Sequence, residues 1–220
     1  MLAIARLIDG YNILNEKLPV DKVRIALIAT IFHDTGYIQT IRDRKGTGAK
    51  YTLNHVERSI EFIQKYFRDR MFSKKEFELA KNIVNCTGLS TDMGKLKLKG
   101  SHDRLLGYML GTADLIGQMA SRTYLERLIY LYREFREGRV KGFTSELDLL
   151  KKTLSFYENT RFRIENDLGG VYKHALIHFK ERYGIDEDLY GTAIARQIKY
   201  LGEILSDSCV NYTDKLRRKP

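Results

Sequence analysis

Cysteine, proline and long apolar runs are all scarce in this chain. Only two cysteines, Cys86 and Cys209, occur among 220 residues. They are far apart and form no CxxC pair, so we expect no disulfide framework and a reducing, cytoplasmic location. The longest apolar run is far shorter than the roughly 20 residues that span a bilayer, and no signal peptide is recognisable. We therefore expect a soluble protein without a membrane partner.

The residues that are abundant favour an all-α fold. Only two prolines interrupt a sequence rich in Leu, Ile, Glu and Lys, and apolar residues recur with a period of 3.6, whereas strand-like alternation is scarce. We expect helices over about 2–15, 19–33, 52–70, 73–88, 101–120 and 121–138, and three more over about 145–166, 170–183 and 186–205. No linker divides the chain, so we expect a helical domain over 1–138 and a helical C-terminal extension over 139–220 packed on it.

The chain carries an excess of positive charge. Its formal net charge is +10 and its pI is about 9.5. Such a charge attracts phosphorylated ligands, nucleic acid or anionic membrane surfaces, and ordinary solvated charge explains it equally well. The basic residues cluster in two glycine-bearing segments, 42–50 and 95–99, and in the tail, 215–219.

The most informative motif is the pair His33-Asp34. It follows the most apolar segment of the chain, 25–32, and an imidazole beside a carboxylate makes an anchor for a divalent metal ion. A second pair, His102-Asp103, follows Gly100-Ser101 instead. There we expect Ser101 to cap a helix and Asp103 to compensate the helix dipole. Context therefore separates a metal-binding pair from a capping pair.

Asp114 is a further candidate ligand. It lies at the flank of the apolar stripe of the fifth helix, where a carboxylate must be paired or metal-bound. Pairing with Arg104 is the alternative. Gly107 and Gly111 of the same helix cost helix propensity but allow another helix to approach closely.

His55 lies near the start of the third helix, directly after the first basic loop. It is either a ligand or an ordinary core or surface histidine. If the loop closes over a metal ion, Arg58 and Lys50 are available to bind a phosphate. By charge and segment position alone, Arg104 and Arg122 are further candidates for this role, or simply surface charges.

The segment 29–37, together with His55 and Ala113-Asp114, resembles the HD-domain superfamily of metal-dependent phosphohydrolases. The resemblance covers about residues 20–125 and implies a helical bundle that binds divalent metal ions and hydrolyses phosphoesters. Carried over by position, it implies His33, Asp34 and Asp114 as metal ligands and His55 as an additional ligand. We expect Asp34 to act in catalysis as well, and Arg58 is a catalytic candidate by its charge and segment position only.

The chain departs from the family pattern in three places. No histidine precedes His33, so either the first ligand of the family lies before Met1 in a longer chain or the site has fewer ligands. Where two-metal members carry a further histidine, this chain has Asn85, Cys86 and Thr87, which favours one ion over two. The lysine that often follows the doublet is absent, and Tyr37 lies nearby.

Other patterns point elsewhere. His174 and His178 are four residues apart and could bind zinc, but no Glu follows His174 to make HExxH, so we expect core or surface histidines. The glycine-rich segment 46–52 lacks the spacing of a phosphate-binding loop. Tyr124, Tyr130 and neighbouring aromatic residues lie at helical spacing and are expected to pack in the extension.

The sequence therefore predicts a phosphohydrolase that uses metal-activated water on a small phosphorylated compound, plausibly a nucleotide. Mixed His and carboxylate ligands suit Mn, Fe, Co, Ni, Zn or Mg. The first alternative is a catalytically degenerate HD-like module that binds a nucleotide or nucleic acid. The second is a helical scaffold with a structural His-Asp pair. Self-association into a homo-oligomer is compatible with each of these.

Overall fold

The computed structural model describes residues 1–68, 71–207 and 211–216. The helices in these ranges are α1 (Leu2–Leu14), α2 (Val20–Phe32), α3 (His55–Phe67), α4 (Lys74–Asn85), α5 (Ser101–Met119), α6 (Tyr124–Glu137), α7 (Glu146–Phe162), α8 (Lys173–Tyr183), α9 (Leu189–Ser206) and α10 (Tyr212–Lys215). Short 3₁₀ segments occupy Thr35–Tyr37, Gly48–Tyr51 and Met93–Lys95, and a π-helical turn, Arg163–Asp167, continues α7. These ranges contain no β-strand, which confirms the all-α prediction. None of their helices is long and apolar enough to cross a bilayer.

The predicted helices exist, and the differences lie at their ends. A capping box formed by Ser73 and Glu76 opens α4. The prediction that Ser101 caps α5 is wrong, because Gly100 occupies the cap position and Ser101 is the first helical residue. The third helix begins only at His55, after a 3₁₀ turn, and the short α10 was not predicted. Cys209 lies outside the described residues.

Helix α5 forms the centre of the bundle. Its residues Leu106, Met109 and Leu110 are buried, and α1, α2, α4 and α9 pack around it. A Cβ built at Gly107 or Gly111 would crowd Cys86, at the end of α4. The two glycines therefore let α4 approach α5 closely, as their spacing predicted. The apolar α2 packs against α4 and α5.

The C-terminal helices join the same core. Helix α8 packs along α1, and the two approach so closely at Gly10 that a Cβ there would overlap the carbonyl of His174. One hydrophobic cluster includes residues from α1 to α5 and others from 164–194. A second cluster joins α6, α7 and α9, with Tyr124 and Phe135 packed against it. The division into a domain and an extension at residue 138 stays a prediction.

Candidate metal centre

The His-Asp doublet lies at a sharp turn after α2. His33 is the C-cap residue of that helix, and the 3₁₀ turn Thr35–Tyr37 follows Asp34 directly. The backbone N–H of Gly36 donates to the hydroxyl of Ser59 in α3 at 2.8 Å. A Cβ at Gly36 would overlap the carbonyl of His55. Because position 36 carries only hydrogen, the first turn of α3 lies directly against the doublet.

Four of the predicted site residues come together here. His33 Nε2 lies 3.3 Å from Asp34 Oδ2 and 3.5 Å from Asp114 Oδ1, and His55 Nε2 lies 3.8 Å from Asp34 Oδ1. The side chains of His33 and Asp114 are 17% and 16% exposed, whereas Asp34 is 52% exposed. The cluster therefore has a buried floor and one carboxylate that faces solvent.

The backbone orients both imidazoles in the same way. The Nδ1 atom of His33 lies 2.8 Å from the carbonyl oxygen of Thr30, and that of His55 lies 2.7 Å from the carbonyl oxygen of Thr52. A carbonyl only accepts, so each Nδ1 carries the proton and donates it. In the neutral form of each imidazole the lone pair is then on Nε2, which is the nitrogen on the carboxylate side; metal-binding histidines use this arrangement.

Asp114 is held by its own helix. Its Oδ1 accepts a hydrogen bond of 2.6 Å from Gln118, one turn later in α5. The alternative pairing with Arg104 is not what the structure shows, since Arg104 is exposed and Asp114 contacts Gln118 and His33 instead. The predicted demand for a buried partner is therefore met within the cluster.

The electrostatics of the cluster favour a cation. Burial lowers the pKa of His33, but attraction to the carboxylates of Asp114 and Asp34 outweighs it and raises that pKa to about 9. Loss of hydration raises the pKa of Asp34, and the nearby charge of Asp114 raises it further, while His33 and His55 lower it. Two carboxylates in one partly buried site repel each other. A positive charge between them relieves that repulsion.

Tyr37 forms one wall of the site. Its ring stacks on that of His55 with centroids 4.6 Å apart, and burial raises the pKa of its phenol to about 12. Tyr37 therefore stays a neutral hydroxyl at physiological pH. In the sequence, Tyr37 attracted attention only because it lies near the position where HD-domain proteins, which the segment resembles, often carry a lysine.

The long loop after Tyr37 is fastened at several points. Lys50 binds Asp43 and the carbonyl of Lys45 within the loop. Thr47 donates from its backbone N–H and its hydroxyl to the carboxylate of Glu137, at the end of α6. The loop thus has a defined course from the doublet to α6 and back to His55.

Arg58 also holds the start of this loop in place. Its Nε donates to the carbonyl of Gly36 at 2.7 Å, and a terminal nitrogen donates to that of Ile38 at 3.0 Å. Its guanidinium lies 3.5 Å from the centroid of the Tyr51 ring. These contacts make Arg58 a positioning residue that binds the turn after the doublet to α3. Its predicted contact with a phosphate stays a prediction.

The donor set fits a divalent metal ion, although its geometry is not that of a complete ligand sphere. In the described part of the chain, no group of three or more His, Cys, Asp or Glu side chains is arranged around one common point. The residues form close pairs instead, with His33 between two carboxylates. Its Nε2 is buried and has no hydrogen-bond partner. An imidazole nitrogen aimed at two carboxylates without a hydrogen bond is the feature that a metal ion would satisfy.

The other histidine patterns have ordinary partners. Asp103 of the second doublet pairs with Lys22 at 2.7 Å. His178 pairs with Asp9 at 2.7 Å, and the ring of His174 packs edge-on against that of Tyr11.

Sequence reasoning missed Gln118, Ser59 and Gly36 as site residues. Gln118 could have been found, because it lies four residues after Asp114 and therefore on the same helix face. The contacts of Gly36 and Ser59 join segments more than twenty positions apart. No local spacing signals such a contact.

Comparison with known proteins gives one match. The sequence profile of the family described as Npun_R2479-like matches residues 21–168, a range that includes the doublet, His55 and Asp114. No curated protein and no solved structure shows significant similarity to the chain.

Proposed function

The chain belongs to the Npun_R2479-like family, and we propose that it is a metal-dependent phosphohydrolase of the HD type acting on a small phosphorylated compound, plausibly a nucleotide. His33, Asp34 and Asp114 would hold the ion, with His55 as an additional ligand. One ion is favoured over two, since the cluster contains only these four donors and Cys86 packs against α5.

One observation carries this proposal. His33 and His55 both direct Nε2 towards carboxylates, and the Nδ1 of each is engaged by a backbone carbonyl three residues earlier. A purely structural His-Asp pair would need only one imidazole and one carboxylate. Two oriented imidazoles and two carboxylates in one cluster are the ligand types that Mn, Fe, Co, Ni and Zn accept, and the carboxylates also suit Mg.

When bound, a divalent ion supplies Lewis acidity, which lowers the pKa of water and neutralises charge on phosphoryl oxygens. The residues of the chain would prepare the site for it. Asp114 and His33 would form the rigid, buried side of the site, with Asp114 held by Gln118. Asp34 is half-exposed and would be the carboxylate that hydrogen-bonds the attacking water and accepts its proton.

The loop beside the site supplies the charge for a phosphorylated substrate. Arg42, Arg44 and Lys45 are exposed in it, whereas Lys50 is occupied by Asp43. The loop leaves the site at Tyr37 and returns at Thr52. These charges would raise the local concentration of an anionic substrate.

The test combines metal content with activity. The purified protein, reconstituted with Mn²⁺ or Zn²⁺, should contain about one equivalent by elemental analysis, and Asp34→Ala and Asp114→Ala should lose it because each removes a ligand. Release of inorganic phosphate from a panel of nucleotides and sugar phosphates should fall by at least about 100-fold in both variants.

The second His-Asp doublet provides the matched control. Asp103→Ala and His102→Ala alter the same residue types in a pair that we assign no metal, so metal content and activity should stay at wild-type levels. Equal metal in all variants, or none after reconstitution, would contradict the ligand assignment.

A second candidate is a degenerate module that binds a nucleotide or nucleic acid. The absence of a ready group of three ligands in the described ranges and the net charge of +10 favour it. It predicts binding of a labelled oligonucleotide that weakens steeply with salt and is unchanged in Asp34→Ala. Salt-insensitive or undetectable binding would remove this candidate.

A further inference from the structure

A cavity of about 200 Å³ lies between α5, α7 with its π-helical turn, and α9, and Tyr172 at the N-cap of α8 also lines it. Its lining combines aliphatic side chains with three tyrosine rings: Ile116, Met119, Ile194, Tyr157, Tyr172 and Tyr190. Asp114 and Ile116 are two positions apart on α5, so they point roughly 200° apart around the helix. The cavity is therefore on the opposite face of α5 from the candidate metal centre and is separate from it.

The size of the cavity indicates the size of a ligand. An engineered apolar cavity of about 150 Å³ holds a benzene molecule. The present cavity is larger and is mainly apolar, so a single aromatic ring with a small substituent fits it. Tyrosine rings pack edge-on or face-on against such a ring. The Tyr190 hydroxyl accepts a hydrogen bond of 2.8 Å from Arg6 and keeps its own proton to donate to a polar substituent.

The charged groups at the cavity already have partners. Glu165 binds Lys173 at 2.7 Å, and Arg161 lies 3.4 Å from Glu158. Asp188 caps α9 by accepting a hydrogen bond of 2.9 Å from the backbone N–H of Gly191, where the helix dipole offsets its charge. A charged ligand would find no unused counterion among these groups and would lose its hydration on entry.

We propose that this cavity is a binding site for a small uncharged aromatic molecule, of the size of phenol or indole. The aliphatic side chains would enclose the ring, and the tyrosine hydroxyls would meet its polar group. The proposal does not depend on the metal centre, because none of the cluster residues lines the cavity.

Methionine methyl resonances provide a direct test. The chain has five methionines, of which Met119 lines the cavity and Met109, buried in the same helix, does not. Titration of indole into the full-length protein labelled at methionine methyl groups should shift the Met119 signal saturably and leave Met109 unchanged. Met119→Leu assigns the signal. No shift at Met119 at millimolar indole, or equal shifts at all methionines, would overturn the proposal.

Two further experiments test the chemical class of the ligand and whether it binds in this cavity. Benzoate and benzylamine should bind at least about 10-fold more weakly than indole, and equal binding of either would overturn the assignment to uncharged compounds. Ile194→Phe fills the cavity and should abolish the saturable shift. Ile41→Phe, at an exposed position in the loop after α2, should retain it. If Ile194→Phe does not fold, the comparison of the Met119 and Met109 signals in the wild-type protein still tests the proposal.

Discussion

Arg163 is a buried charge that the sequence did not single out. Its side chain is in the π-helical turn after α7, and the residue is only 7% exposed. The guanidinium donates to the carbonyls of Gly88 at 2.8 Å, Leu89 at 3.2 Å and Cys86 at 3.3 Å. Those carbonyls belong to the turn that ends α4 beside α5. At the scale of one residue, a single cation therefore satisfies the orphan carbonyls of a helix end.

Replacing this cation should be costly. Arg163→Met keeps much of the volume but removes the guanidinium hydrogen bonds to the carbonyls of Cys86, Gly88 and Leu89, so the free energy of unfolding should fall by about 3 kcal/mol. Urea denaturation measures this. Arg161→Met is the matched control, because Arg161 is exposed and pairs only with Glu158; its effect should stay within about 0.5 kcal/mol. Similar losses in both variants would contradict the role of Arg163.

At the scale of the secondary-structure elements, close packing depends on glycine residues. At Gly36 the turn after the doublet meets the start of α3, and at Gly10 helix α1 meets α8. In both places a Cβ would overlap a backbone carbonyl, which cannot move without its helix. Gly202 in α9 is different, since nothing lies within 4 Å of a Cβ built there. The lack of a side chain is therefore required at Gly36 and Gly10 but not at Gly202.

Alanine at these glycines should have opposite effects. Gly36→Ala forces α3 away from the doublet, so the free energy of unfolding should fall by about 2 kcal/mol, and Mn²⁺ affinity by calorimetry should fall because His55 is displaced. Gly202→Ala should raise stability by about 0.5–1 kcal/mol through helix propensity. A Gly36→Ala protein with wild-type stability and metal affinity would show that the close approach has no role in the site.

At the scale of the whole molecule, charge joins the first helix to α8, which lies far along the chain. Asp9 of α1 accepts from Arg182 Nε at 3.0 Å and Arg182 Nη2 at 2.8 Å, and it pairs with His178 of α8. The hydrogen bonds from Arg182, together with those from His178, outweigh partial burial and lower the pKa of Asp9 to about 2. The ion pair thereby links α1 to α8 over a separation of 173 positions.

This lowered pKa predicts a pH dependence. The carboxylate has a lower pKa in the folded than in the unfolded chain, so its contribution is complete above about pH 4 and is lost as the pH falls towards about 2. The contribution is about 1 kcal/mol after allowance for solvent screening. Asp9→Asn should reduce thermal stability at pH 7 and differ little from the wild type at pH 2. A constant difference across that range would contradict this assignment.

The sequence by itself determined the all-α class, most helix positions and the two segments that carry His33-Asp34 and Asp114. These follow from local spacing, because a helix repeats every 3.6 residues and the apolar stripe shows where Asp114 lies. Tertiary structure decided that His55 joins the doublet, that Arg58 binds the backbone of the turn, and that a cavity opens behind α5. Each of these depends on which helix faces meet and how closely. Contacts such as Gly36 against His55 join residues that are distant in sequence, so no local pattern encodes them.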